Sequence, residues 1–173
     1  MRTVSVVILL ACSILFAGAV ASGHRELPET IATHFDGNGK ADGWTGRTSF
    51  TVCSLAMGFG VPVFVIGIMY AVRFFPAKYL NVPNPDYWRS PENYRRACDF
   101  LFVSSLWFGS AFMLWQVLFL RLIVEANRAS PPHLDGGKVV LFTVPLLAFT
   151  FGWAVVLILR FLKTDGTGGG NVS

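Results

Sequence analysis

The residues best suited to chemistry crowd one short stretch. His24, Glu26, Glu29, His34, Asp36 and Asp42 place two imidazoles and four carboxylates within 19 residues. Imidazole nitrogens and carboxylate oxygens together form a donor set for a divalent metal. The string Asp36 to Gly43 also offers oxygen atoms in the manner of a calcium loop. It departs from that pattern twice. Ala41 stands where the sharp turn requires glycine, and Arg47 stands where a bidentate glutamate closes the site. The simpler reading is a turn whose Asp and Asn side chains cap their own backbone. No metal and no cofactor are therefore expected. There is no Ser-His, Cys-His or His-Glu-x-x-His arrangement, so no catalytic residue is assigned and the chain is read as a non-enzyme. Cys12, Cys53 and Cys98 have no metal-type spacing and read as small packing residues.

The elements that must carry this stretch are apolar. Of 173 residues, 14% are charged and 53% hydrophobic, whereas a soluble domain carries about 25% charge. A net charge of +4 in such a chain argues for membrane orientation and against nucleic-acid binding. Four runs contain no charge: Val4 to Ala21, Phe50 to Val72, Phe100 to Leu120 and Val139 to Leu159. A spanning helix needs about 20 mostly apolar residues. The sequence thus predicts an all-α membrane protein: four transmembrane helices, near 4–21, 49–72, 99–123 and 139–161, in one antiparallel bundle over 1–163. An ordered outer loop is expected at 23–47 and a flexible Gly-rich tail at 164–173.

Counting Lys and Arg near the span ends gives eight on one side and six on the other, which predicts N-in/C-in topology. Residues 1–21 resemble a signal peptide ending in Ala19-Val20-Ala21, but 18 uncharged residues exceed the usual apolar core of about 7–15. A retained first span is the expectation. The span centres hold no ionisable residue, which weighs against ion-coupled transport. Gln116 is the one amide inside a span. Ser54–Gly58, Ala56–Gly60 and Ser105–Gly109 are small-residue pairs suited to close helix approach, and Pro62 and Pro145 are expected to kink their helices. Arg121 and Glu125, four apart, are expected to pair at a span end, and the tryptophans to mark interfaces.

The outer loop has a recognisable pattern. Leu27, Pro28, Ile31, His34, Phe35, Gly39, Asp42, Gly43 and Trp44 resemble the Leu-Pro-x-x-Ile-Pro-x-His-Phe…Gly-x-x-Asp-Gly signature of an uncharacterised bacterial membrane domain, with Ala32 at the second proline. That domain also forms the N-terminal part of SdpI-type immunity proteins. A second segment, with Asn81, Pro83, Asn84, Tyr87, Trp88, Pro91 and Glu92, is similar to one seen in uncharacterised relatives. The resemblance implies a multi-pass protein of the bacterial inner membrane, acting as a sensor, immunity or accessory protein through its outer loop. Its contact residues are then His34, Phe35, Asp36, Asp42 and Trp44 outside, and Asn81, Tyr87 and Trp88 on the cytoplasmic loop. The partners expected are the lipid bilayer and a membrane or cytoplasmic protein. A homo-oligomeric transporter or channel, and a metal-dependent membrane enzyme, are the alternatives. At the residue level, Leu27 to Thr30 is expected to start a short helix.

Overall fold

The computed structural model describes residues 2–164. The Gly-rich tail expected from 164 onward therefore lies, apart from Thr164, outside the described residues. The long helices are α1 (Arg2–Glu26), α2 (Arg47–Ala71), α4 (Pro91–Arg128) and α5 (Gly136–Leu162), with a single-turn α3 (Pro85–Trp88) before α4. All four long helices are long and apolar enough to cross a membrane. Between α1 and α2 lies a hairpin of β1 (Thr30–Phe35) and β2 (Ala41–Gly46).

The core forms where α1, α2 and α4 meet. Phe16 of α1 is 1% exposed and packs with Cys12, Ala19, Val20, Met113 and Leu120. Glycines permit this closeness. A Cβ on Gly58 would stand 2.1 Å from the Phe16 ring, and one on Gly109 would meet Pro62, Ile66 and Leu9 at 3.3 Å each. Ser105 and Gly109 thus face a helix contact as their spacing implied, whereas Ala56 and Gly60 face outward. Helix α2 continues through the buried Pro62.

Helix α5 is attached more loosely. It leans on α4 through Trp153, whose ring lies 4.7 Å from that of Phe108 and whose Nε1 donates to Ser104 Oγ at 2.7 Å. The rest of its flank is apolar and exposed, as suits a helix facing lipid. At its N-terminus Asp135 accepts from the Gly137 amide at 2.8 Å, capping the helix. Both described ends of the chain lie at one end of the bundle. Arg2 sits over Phe102 of α4, and Phe161 packs on Trp88 beside the same helix.

Candidate functional site

The loop expected to begin a short helix at Leu27 instead forms the hairpin. Leu27 and Ile31 are buried against Val124 of α4 with Phe50 beside them. Ile31 pairs with Thr45 and Ala32 with Trp44, and the ladder becomes irregular around His34. Burial of Leu27 and Ile31, together with strand pairing, overrides the proline-led helix start.

Asn127, in the last turn of α4, fixes the hairpin in place. Its Oδ1 accepts from the Ala32 amide at 2.7 Å, and its Nδ2 donates to the Ala32 carbonyl at 2.9 Å. Ala32 is 0% exposed, so these bonds satisfy both backbone groups of a residue that water does not reach. Nδ2 also donates to the Ile123 carbonyl at 3.0 Å, which sets the amide's orientation. A second attachment holds the tip. Gly39 adopts φ +80, and a Cβ there would lie 2.1 Å from the Leu134 carbonyl, so glycine is required on both counts. Its carbonyl accepts from the Leu134 amide at 2.8 Å. Arg47 closes the base, donating to the Leu27 carbonyl at 3.0 Å.

The candidate metal donors disperse within this frame. His24 bonds Thr51 at 2.8 Å. Glu26 takes Ser22 and Arg128. Asp36 Oδ1 accepts from the Asn38 and Lys40 amides at 2.8 and 2.9 Å, the self-capped turn. These backbone donors, Lys40 first, hold the Asp36 carboxyl below the usual aspartate range. His34 and Asp42 face each other at 2.5 Å on the exposed side. Among the described residues no three His, Cys, Asp or Glu side chains converge as a metal site would require. Glu125 joins Lys138 at the start of α5, where an intrahelical pair with Arg121 was expected.

Five of the eight expected contact residues thus share one element. His34, Asp36, Asp42 and Trp44 are exposed, Trp44 at 57%, and Phe35 is half-buried. The other three lie at the opposite end of the bundle, and one needs correction. Trp88 presents no surface: it is 1% exposed, packed among Leu80, Ala97, Leu101 and Phe161. Its Nε1 donates to the Phe161 carbonyl at 2.9 Å, and Asn84, at φ 54, donates to the Leu162 carbonyl at 2.9 Å. The last carbonyls of a helix lack intrahelical partners; here Trp88 and Asn84 supply them to α5. Asn81 is exposed, and Tyr87 is half-buried with its ring 5.0 Å from that of Trp88.

Four apolar helices of spanning length and a polar hairpin between the first two define a multi-pass membrane protein. Residues 7–58, covering most of α1, the hairpin and the first half of α2, match the family model for a domain of unknown function, DUF1648. No curated protein and no solved structure matches the chain.

Proposed function

We propose that this chain is a non-enzymatic protein of the bacterial inner membrane, N-in/C-in, that engages a peptide or protein partner through its hairpin. One observation carries the reading. The hairpin is hydrogen-bonded to Asn127 and Leu134 while His34, Asp42 and Trp44 stay exposed. A recognition surface benefits from such preorganisation, because ordering on binding costs affinity. An exposed tryptophan beside a His–Asp pair offers an amphipathic anchor with polar neighbours.

The resemblance to SdpI-type proteins gives the proposal its sharpest form: protection of the cell against an envelope-active peptide, as an immunity, sensor or accessory component. The test is deletion of the gene and complementation with wild type, Trp44→Ala or His34→Ala. The deletion strain should become sensitive to envelope-active peptides, and neither variant should restore resistance fully. Unchanged sensitivity on deletion removes the immunity form. Crosslinking from position 44 in native membranes then decides the general form, and recovery of the chain without any crosslinked partner removes it.

A further inference from the structure

At the bundle end opposite the hairpin, three apolar runs from three helices stop at one level. Arg2 precedes the first run, Arg73 follows the second, and Arg95 and Asp99 precede the third. Their side chains, with Tyr94 and Cys98, line a pocket of about 410 Å³. We propose that Arg2, Arg73 and Arg95 form a binding site for a phosphate group.

Arg73 carries most of the argument. Its Nε donates to the Tyr70 carbonyl at 3.1 Å, and its guanidinium lies 3.9 Å from the Tyr70 ring centre and 5.5 Å from that of Phe102. The head group is thereby fixed before any ligand arrives. Its Nη2 is nevertheless buried without a hydrogen-bond partner. The Asp99 carboxylate stands 4.0 Å away, beyond hydrogen-bond reach. A donor left unpaired at the wall of the pocket costs free energy, which an acceptor recovers when a small side-chain movement exposes it.

The surrounding charge points the same way. Arg2 approaches the same Phe102 ring at 5.2 Å, so two guanidiniums crowd one aromatic side chain. Arg95 faces the pocket without an ion pair among the described residues. Three cations stand against one carboxylate, Asp99, which is largely exposed to solvent. Planar guanidinium forks match the oxygens of a phosphate better than a point charge does. The level of the pocket, at the ends of three spans, is that of a bilayer's headgroups. A lipid phosphate and a free phosphate share this chemistry.

The test uses the full chain, purified and placed in phosphatidylcholine nanodiscs with or without phosphatidic acid. Native mass spectrometry reads retained lipid, and inorganic phosphate serves as competitor. Wild type should retain phosphatidic acid over phosphatidylcholine. Arg95→Gln, at an exposed position that leaves the packing intact, should lower retention roughly five- to tenfold. Asp99→Asn removes the competing carboxylate and should raise it, a gain that a merely structural role does not produce. Displacement by inorganic phosphate without lipid preference assigns the site to free phosphate. No preference for either anion in wild type, or unchanged retention in both folded variants, overturns the proposal.

Discussion

Replacing Asn127 by alanine strips Ala32 of both its backbone partners at once. The Ala32 amide and carbonyl lose bonds of 2.7 and 2.9 Å at a residue that is 0% exposed. An orphaned buried backbone group costs roughly 1–3 kcal/mol. Two such groups, with water entering the small space left by the shortened side chain, place the penalty near 2–3 kcal/mol. This energy acts on docking of the hairpin, since the core around Phe16 lies elsewhere. Local opening across 30–46 should then rise roughly 30- to 150-fold. Hydrogen exchange of the reconstituted protein, read by mass spectrometry, measures that change directly. The helical core of α1 and α2 should exchange as before. Asn127→Asp sharpens the test, because it keeps an acceptor for the Ala32 amide and sets a carboxylate against the Ala32 and Ile123 carbonyls. It should open the hairpin at least as much as alanine does. Wild-type exchange in N127A would refute the clamp.

Gly58→Ala should destabilise the bundle by about 1–3 kcal/mol through overpacking, since its Cβ would stand 2.1 Å from the Phe16 ring. Thermal unfolding in detergent checks this, and Phe16→Leu in the same chain should recover part of the loss; additive losses speak against the contact. The self-capped turn at Asp36 should depend on pH. Its folded carboxyl titrates below the ordinary range, so its contribution is complete above that range and disappears as pH falls toward the lower folded value. Protection of the Asn38 and Lys40 amides, taken relative to the intrinsic exchange rate at each pH, should therefore fall in acid and, at every pH, in Asp36→Ala; insensitivity to both contradicts the turn. Trp88→Phe keeps the ring but removes the bond to the Phe161 carbonyl, and should fray the end of α5 by about 1 kcal/mol. Limited proteolysis near Leu162 reads that fraying, and wild-type cleavage rates count against the cap.

The four spans were legible because a charge-free run of membrane length has few other uses. The extent of α4 was less so. The sequence predicts a third span near 99–123, and the helix that carries it runs Pro91–Arg128, because proline suits a first helical turn and the polar flanks continue the same backbone geometry. The hairpin was hidden for a different reason. Its first strand, Thr-Ile-Ala-Thr-His-Phe, lacks the strict alternation that marks a half-buried strand, its second carries two glycines, and α4 holds the pair in place through Val124 and Asn127. Asn127 carries no distinctive signal in the sequence, because a single amide at the end of a span resembles any polar terminus. Its place four residues after Ile123, on the face that carries Val124 into the hairpin core, was the available signal. Trp88 misled in the opposite direction. A tryptophan beside arginine suggests an interface, but tertiary packing buried it.

Helix α4 has one further consequence. At 38 residues it is roughly 57 Å long, nearly twice the hydrocarbon thickness of about 30 Å. Its sequence beyond Pro91 contains no proline, and Gly109-Ser110 near its middle is where a bend would fall. Near one tip Tyr94 holds the Val72 and Phe75 carbonyls at 2.6 and 2.7 Å, and near the other Asn127 holds the hairpin. The surfaces at opposite ends of the bundle are therefore the two ends of a single helix. When the bilayer thins and such a helix leans a further 10° or so, its tips separate sideways by roughly 9 Å. The hairpin and the arginine-rich loop are thus joined through one continuous helix, and any change in its tilt shifts one sideways against the other.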